Sequence, residues 1–404
     1  MIYLDHAATT PASPIALQRM MEVAQESYGN PSSIHHAGRN ANQILRQARQ
    51  DIAQVLAVSP DQLIFTSGGS EANNLAIKGY ALAHKDKGKH LITTAIEHHA
   101  VLHTMQYLEE HFGFEVTYIQ PIDQVITAQQ IKKALRPDTI LVSVMFANNE
   151  TGQLLPIKEI GQVLSGHQAV FHVDAVQAVG KVELHPIEYG IDFLTAAGHK
   201  FHGPKGSGFL YSKIHRFDSL IHGGKQEAQH RAGTENLPAI AAMATALTEQ
   251  ITELDKNSNY ISQLRKQLIE GLHGLDYYIN QSGPHLPHIL NIGFPGKLNE
   301  QLLMQLDLVG IAVSSGSACT AGIVQNSHVL EAMYGKESPR LKESIRISLS
   351  ETNTKQEIDT LIVELKKNNW RLKMAFQKSV TLKDCNFTYH ISPVVKKYTL
   401  RDNT

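Results

Sequence analysis

The segment Thr139-Ile-Leu-Val-Ser-Val-Met-Phe146 decides the fold class, together with the two segments that follow it. It is a mostly apolar run of strand length, Ile157–Leu164 has the apolar spacing of a helix, and Ala169–Val173 is a second apolar run. This alternation of buried strands and helices is typical of a parallel sheet that helices cover on both faces.

The same alternation extends back to Ile15, and it stops near Gly224. Beyond that point, Leu237–Leu272 is a long amphipathic stretch without a strand, and short strand candidates follow it. We therefore predict an α/β fold, with a mostly parallel sheet sandwiched by helices and a smaller α+β domain. The further strand candidates are Gln62–Phe65, His90–Thr94, Val116–Ile119, His288–Gly293, Gly310–Val313 and Ser344–Leu349, and the further helix candidates are Leu75–Ala83, Ala100–His111, Thr127–Leu135 and Ile358–Ala375.

Composition excludes several classes of protein. Among 404 residues, 37 Lys and Arg residues balance 38 Asp and Glu residues to a net charge of −1, which removes the electrostatic case for direct nucleic-acid binding. The two cysteines, Cys319 and Cys385, cannot form a disulfide framework and suit a reducing compartment. Without a signal peptide or an apolar run of about 18 residues, we expect a cytoplasmic protein that does not enter a membrane.

The polar stretch Thr66-Ser-Gly-Gly-Ser-Glu-Ala-Asn-Asn74 lies between a strand candidate and a helix candidate. A helix start offers unpaired N–H groups and the positive end of the helix dipole, and both suit an anion. The stretch is neither a P-loop nor a dinucleotide fingerprint. The alternative interpretation is an ordinary helix start that Ser70 caps.

The segment Phe171-His-Val-Asp-Ala-Val-Gln177 places Asp174 at the carboxyl end of a strand, where such sheets bind ligands. If the chain turns helical there, Asp174 and Gln177 lie one turn apart on the same face. The carboxylate could then pair with a protonated ring nitrogen, and the amide could bond a ring oxygen. The alternative is a solvated helix start.

Lys200 follows the strand-like segment Ile191–Thr195 and precedes a turn rich in Gly and Pro. A lysine at the end of a buried strand, close to a bound phosphate, could be brought toward neutrality and form a Schiff base with an aldehyde. The alternative is an exposed turn lysine, an interpretation that applies equally to Lys205.

The segment Ser314-Ser-Gly-Ser-Ala-Cys-Thr-Ala-Gly322 surrounds Cys319 with small residues. A core cysteine usually has large apolar neighbours, so this pattern favours an exposed, mobile loop that suits a thiolate nucleophile. An inert loop cysteine is the alternative. Cys385 has no such surroundings, and we interpret it as incidental.

The segment Glu97-His-His-Ala-Val-Leu-His103 spaces His99 and His103 as two zinc ligands on a helix would be spaced. No glutamate lies between them and no third ligand is evident, so we predict no metal site. His98 follows a strand end and is better suited to stack on a planar ligand or to take a proton.

Together, in this order and spacing, these motifs resemble the cysteine desulfurases of the class V aminotransferase superfamily, which are pyridoxal-phosphate enzymes of fold type I. The resemblance extends from about residue 2 to about residue 375, and the Cys319 motif is similar to that of the group with a long cysteine loop. Further matching stretches are Tyr3–Pro11, Asn148–Glu150, Gly203–Gly206, Arg231–Asn236 and Ile345–Ser348.

By this resemblance, Lys200 would carry pyridoxal 5′-phosphate, Asp174 would pair with its ring nitrogen, and His98 would stack on its ring. Arg346 would bind the substrate carboxylate. Thr234 would reach the phosphate of the partner subunit, which implies a homodimer. The other cofactor residues implied are Gly69, Ser70, Asn149, Gln177 and His199, and Asn149 would also border the substrate.

The implied reaction converts L-cysteine to L-alanine. Lys200 would remove the α-proton, and the Cys319 thiolate would attack the substrate sulfur and retain it as a persulfide. A sulfur-acceptor protein would then receive the sulfur for iron–sulfur cluster assembly or for tRNA thiolation.

The resemblance also implies a domain organisation. Residues 1–14 would pack with the small domain, and residues 15–250 would form the large cofactor-binding domain. Residues 251–375 would form the small domain that carries the cysteine loop. Residues 376–404 are a tail of unknown structure with no recognised counterpart, and we interpret them as a partner-docking extension.

One residue departs from the family pattern. Ala197 stands where the family often has a serine that binds phosphate, so this hydrogen bond is lost or supplied elsewhere, with Thr195 as one candidate.

Three alternative functions stay open. A selenocysteine lyase, an aminotransferase or a sulfinate-type lyase would share Lys200 and Asp174 without needing Cys319. A sulfur-trafficking scaffold that lost turnover is a second alternative. A zinc hydrolase built on His99 and His103 is a third.

Overall fold

The structure is a computed structural model that describes residues 1–315 and 326–375. Two predicted features, the loop around Cys319 and the 376–404 tail, lie outside the described residues. The strands are β1 (Ile2–Tyr3), β2 (Leu63–Thr66), β3 (His90–Thr94), β4 (Glu115–Ile119), β5 (Thr139–Met145), β6 (Val170–Asp174), β7 (Phe193–Ala197), β8 (Gly208–Ser212), β9 (Tyr278–Ile279), β10 (Ile289–Gly293), β11 (Ile311–Ala312) and β12 (Ser344–Ser348). The helices are α1 (Pro14–Glu26), α2 (His36–Leu56), α3 (Gly69–Ala83), α4 (His99–Phe112), α5 (Ala128–Ala134), α6 (Ile157–Leu164), α7 (Leu237–Thr252), α8 (Leu254–Gly271), α9 (Asn299–Asp307), α10 (His328–Tyr334), α11 (Arg340–Glu343) and α12 (Lys355–Ala375).

The larger sheet has the strand order β2-β8-β7-β6-β5-β3-β4 in the part of the chain described. Only β8 runs antiparallel to its neighbours, and the other six strands run parallel to one another. The predicted mostly parallel sheet between helices is therefore confirmed. Strand β8 was not predicted, because its sequence continues the Gly- and Pro-rich turn after Lys200.

Alternate residues of the buried strands enter two apolar cores, one on each face of this sheet. In β2, Leu63 and Phe65 join the core beneath α1, α2 and α7, whereas Ile64 joins the core beneath α3 and α4. Since side chains alternate across a strand, a strand that is buried on both faces reads as a continuous apolar run. That is the pattern from which the sheet was predicted.

A separate apolar cluster, the C-terminal core, surrounds the smaller sheet β12-β10-β9. Leu4 from the N-terminus is fully buried in this core, since β1 pairs in parallel with β11. The other members come from α8, α9, α12 and the strands that they cover, and they include Leu264, Leu268, Leu290, Ile292, Phe294, Leu302, Leu306, Ile345, Ile347, Ile358, Leu361 and Leu365.

The long amphipathic stretch Leu237–Leu272 forms two helices that meet at Glu253. Helix α7 packs against α1 and α2 in a sheet core, whereas α8 packs against α12 in the C-terminal core. The chain therefore passes from one core to another at Glu253. Within residues 1–315 and 326–375, every helix is too short or too polar to span a bilayer.

Leu4→Ala should destabilise the protein by about 2–5 kcal/mol, because it leaves a cavity in the C-terminal core. Leu17→Ala is the matched control, since Leu17 on α1 is 48% exposed, and it should change the free energy of unfolding by no more than about 0.5 kcal/mol. Urea denaturation followed by circular dichroism measures both effects. Equal stability of the two variants would contradict the packing described for Leu4.

Candidate active site

The start of α3 is open to a cavity and has no side-chain cap. Its N-cap is Gly68, with φ of 153° and no capping hydrogen bond, so the alternative in which Ser70 caps the helix is wrong. A Cβ on Gly69 would lie 2.7 Å from Cγ2 of Val176, so the Val176 side chain leaves room only for a glycine at this position. Free N–H groups and the dipole end leave this turn suited to an anion.

Asp174 lies at the end of β6 with a fixed carboxylate. Its Oδ2 accepts a hydrogen bond from Nδ2 of Asn73 at 2.7 Å, and its Oδ1 accepts one from the backbone N–H of Val176 at 3.0 Å. The chain after Asp174 forms a turn and not the helix considered from the sequence, yet Gln177 still faces the cavity and donates to the Ala7 carbonyl at 2.9 Å. The sequence analysis assigned Asn73 no site role, although it orients Asp174.

Lys200 ends a short 3₁₀ helix, Gly198–Lys200, that directly follows β7. Its Nζ donates to the carbonyls of Ala7 at 2.5 Å and Ala8 at 2.9 Å. Burial and, to a smaller extent, the nearby charge of Arg346 lower the pKa of Lys200 to about 8, against the opposing charges of Asp5 and Asp174. Part of the amine is therefore unprotonated near neutral pH, as a lysine that reacts with an aldehyde requires.

Two histidines of the cavity are neutral at pH 7. His98 caps α4 by accepting from the Ala100 N–H at its Nδ1, which leaves the proton on Nε2. Burial lowers the pKa of His98, although Asp174 opposes the shift. His199 contacts Oγ1 of Thr9 through Nδ1 at 3.2 Å, and burial, followed by the charge of Lys200, lowers its pKa to about 4.

The spacing of His99 and His103 leads to ring stacking. The two ring centroids lie 4.9 Å apart at an interplanar angle of 26°, and His328 contacts His99 from the other side at 4.6 Å. In the part of the chain described, no group of three or more His, Cys, Asp or Glu side chains is arranged to hold a metal ion.

Arg346 on β12 brings a buried cation to the same cavity. One guanidinium nitrogen lies 2.8 Å from Oδ1 of Asp5, and another donates to the Asn149 carbonyl at 2.8 Å. Its Nε is buried and has no hydrogen-bond partner among the described residues. Sequence reasoning missed Asp5, although it lies in the matching stretch Tyr3–Pro11.

These side chains line one cavity of about 590 Å³. Ser315 and His328, which flank the undescribed residues 316–325, also line it, whereas Cys319 itself lies outside the described residues. Of the predicted site residues, the cavity brings together Gly69, Ser70, His98, Asn149, Asp174, Gln177, His199, Lys200 and Arg346.

Thr234 is exposed and does not line this cavity. Its loop is nevertheless tied to α3, because Arg231 forms an ion pair with Glu71 at 2.8 Å. Burial alone would raise the pKa of Glu71, but the hydrogen bonds from Arg231 and Ser67 lower it, so this pair is charged at neutral pH.

The structure does not support Thr195 as a replacement for the missing serine. Thr195 is fully buried, and its hydroxyl contacts Nε2 of His172 at 3.1 Å inside the sheet. Ala197 does line the cavity, at the position where a phosphate-binding serine was expected.

The residues present fit pyridoxal phosphate. An uncapped helix start suits its phosphate, a carboxylate fixed by two hydrogen bonds suits its ring nitrogen, and an amine with a lowered pKa suits its aldehyde.

Comparison with protein families and relatives agrees with this site. The family model described as "Aminotransferase class-V" matches residues 2–361, and a second model, described as "Putative amino acid metabolism", matches residues 374–404. A Bacillus subtilis (strain 168) protein named "Putative cysteine desulfurase IscS 1" is 49% identical over 365 residues, which cover 89% of this chain and 96% of that relative.

Two solved structures are similar along most of the chain. A "NIFS-LIKE PROTEIN" aligns with a TM-score of 0.85 and 36% identity over 92% of this chain and 99% of its own. A structure of "SspA in complex with cysteine" aligns with a TM-score of 0.79 and 35% identity over 88% of this chain and 100% of its own.

In cofactor-free protein, an amine-reactive probe should label Lys200 with a pH midpoint near 8, because its burial disfavours the ammonium form. Lys205 on the same turn is exposed and serves as the internal comparison. Mass spectrometry of the Lys200 and Lys205 peptides, labelled at pH values from about 6 to about 11, measures the two midpoints. Coincident curves would contradict the environment described for Lys200.

Proposed function

The chain belongs to the class-V aminotransferase family and is a pyridoxal-phosphate enzyme, a cysteine desulfurase, and we propose that it converts L-cysteine into L-alanine and a persulfide on Cys319. The observation that carries the proposal is the shared cavity. Lys200 with its lowered pKa, the oriented carboxylate of Asp174, the open start of α3 and the guanidinium of Arg346 all line it.

The cavity residues would hold the cofactor from several sides. Asp174 would pair with the ring nitrogen, His98 would lie against the ring, and Lys200 would bind the aldehyde carbon. When bound, pyridoxal phosphate supplies an electron sink that weakens the bond between the substrate Cα and its hydrogen. The further residues proposed to hold it are Gly69, Ser70, Asn149, Gln177, His199 and, from the second subunit, Thr234.

Arg346 would bind the substrate carboxylate, with Asn149 beside it. Its guanidinium is held by Asp5 and by the Asn149 carbonyl, so its direction is set before a substrate arrives. An arginine is suited to this task because its planar donors match both oxygens of a carboxylate. The Nε that lacks a partner among the described residues is one donor available for this contact.

Lys200 would then accept the α-proton. A pKa near 8 keeps part of the amine unprotonated at neutral pH and still allows it to return the proton afterwards. His98, whose Nε2 carries the ring proton, would assist as a second group that holds or moves a proton.

We assign the sulfur step to Cys319, because Ser315 and His328, described residues before and after its loop, both line the cavity. The Cys319 thiolate would form an S–S bond with the substrate sulfur as the Cβ–S bond breaks. The electron pair of that bond stays on carbon, which takes up a proton and leaves as the methyl group of alanine. A sulfur-acceptor protein, an iron–sulfur scaffold or a tRNA-thiolating enzyme, would receive the sulfur, and we place this exchange in the cytoplasm.

Cys319→Ala should abolish both persulfide formation and alanine release from L-cysteine, because the sulfur has no acceptor thiol. Cys385→Ala is the matched control, since it removes the other cysteine of the chain, and its turnover should equal that of the wild type. Mass spectrometry after brief exposure to L-cysteine should show one added sulfur atom on the Cys319 peptide alone. A lyase that does not use Cys319 would release alanine at an unchanged rate from both variants.

Mixed dimers test whether Thr234 serves the partner subunit. Lys200→Ala subunits should be inactive, and Thr234→Ala subunits should retain cofactor weakly. If Thr234 acts across a homodimer, a mixed dimer of the two variants contains one intact site and should regain about half of the wild-type activity per dimer. If activity does not rise on mixing, Thr234 acts within its own subunit or not at all.

A further inference from the structure

A group of buried ionisable side chains lies behind the Lys200 turn and takes no part in the cavity. His6, His202 and His288 are each no more than 4% exposed, and Lys181 and Glu351 face them. None of these five side chains lines the cavity around Lys200. The reaction described above does not use them.

His202 lies between two oxygen atoms, the carbonyl oxygen of Pro11 and a carboxylate oxygen of Glu351. Its Nδ1 is 2.8 Å from the Pro11 carbonyl, and its Nε2 is 3.1 Å from Oε1 of Glu351. The imidazole of His202 therefore lies between the Pro11 carbonyl, on the N-terminal segment, and the carboxylate of Glu351.

The carboxylate of Glu351 has two hydrogen-bond partners besides its contact with His202. The carboxylate also accepts from Nε2 of Gln250 at 2.9 Å and from the hydroxyl of Ser350 at 3.0 Å. Burial alone would raise the pKa of Glu351, but the hydrogen bond from His202 and the charge of Lys181 hold it well below its usual value.

The other titratable groups facing this pair are driven toward their neutral forms. Burial lowers the pKa of His6 to about 4, with further contributions from His202 and Lys181. Burial, with the charge of Lys181, also holds the pKa of His288 well below its usual value, and burial lowers that of Lys181. The carboxylate of Glu351, in contact with His202, is thus the principal negative charge of this group.

The pair connects two elements that carry separate parts of the reaction. His202 lies two residues after Lys200, and its backbone is held at φ of 65°, an uncommon conformation for a residue other than glycine. Glu351 follows β12, the strand that carries Arg346. Because His202 is buried and Glu351 is largely buried, a change in one end is transmitted to the other.

We propose that the contact between His202 and Glu351 is a positioning element that sets the place of the Lys200 amine relative to Arg346. A substrate held by Arg346 must present its α-carbon to that amine, so the pair controls proton transfer without touching the substrate or the cofactor. This inference rests on the proposed function of the cavity.

Glu351→Gln should lower kcat for alanine formation about tenfold, because small displacements of a reacting group are costly. KM for L-cysteine should stay within about twofold, since the contacts of Arg346 with the carboxylate are unchanged. His202→Gln should cause the same loss, and the double variant should lose no more than either single variant.

Glu183→Gln is the matched control. Glu183 and His185 form a similar pair of a carboxylate and an imidazole at the surface, with 3.9 Å between the Glu183 carboxylate and Nε2 of His185. Since exposed pairs contribute little, the Glu183→Gln variant should have the kcat of the wild type. Glu351→Asp retains the charge with a shorter reach and should recover part of the kcat that Glu351→Gln loses. Glu351→Asp also provides the test of the positioning role if Glu351→Gln does not fold.

A readout independent of turnover is the labelling midpoint of Lys200 in cofactor-free protein. In Glu351→Gln it should rise by about one pH unit from its value near 8, because a displaced amine gains solvent. Glu183→Gln should leave it unchanged. If Glu351→Gln keeps the wild-type kcat and the wild-type labelling midpoint, the positioning role is wrong. It is also wrong if Glu351→Asp and Glu351→Gln lose the same share of kcat. If the wild-type enzyme itself forms no alanine, the proposed function is wrong instead.

Discussion

The backbone of Ala7 connects the Lys200 turn, the Gln177 turn and strand β12 through hydrogen bonds. Its N–H donates to the hydroxyl of Ser348 on β12, and its carbonyl accepts from Nζ of Lys200 and from the amide of Gln177. A buried backbone group must find hydrogen-bond partners, and here the partners come from both the large sheet and the C-terminal core. The N-terminal segment therefore connects the lysine amine to the strand that carries Arg346, although it contributes no reacting group itself.

The sheet topology explains why the sequence alone could place Asp174 and Lys200 at one edge of the sheet, where we propose that they act. Asp174 and Lys200 follow adjacent parallel strands, β6 and β7, and the carboxyl ends of parallel strands meet at one edge. The apolar runs identify those strands, so the residues that follow them could be assigned to one site before any contact was known. The open start of α3 follows β2 at the same edge, because β2 runs parallel to β6 and β7.

The contacts that orient these groups could not be predicted in this way. Asp5 lies 341 residues from Arg346 along the chain, and Glu351 lies far from His202. No periodicity or spacing pairs residues across such separations, since their meeting depends on how the two cores pack. Local patterns can also mislead, as Ser70 shows: a serine at a helix start often caps the helix, but here the N-cap is Gly68, two residues earlier.

Burial gives the two carboxyl groups near His98 opposite roles. Glu97 is fully buried, and burial raises its pKa to about 8, despite hydrogen bonds from Thr94 and from the Met145 N–H. It is therefore protonated at neutral pH and places no second negative charge beside Asp174, whose own carboxylate receives two hydrogen bonds. Two nearby carboxyl groups cannot both ionise cheaply in a site that excludes water. With Glu97 neutral, the carboxylate of Asp174 is the one available to a protonated ring nitrogen.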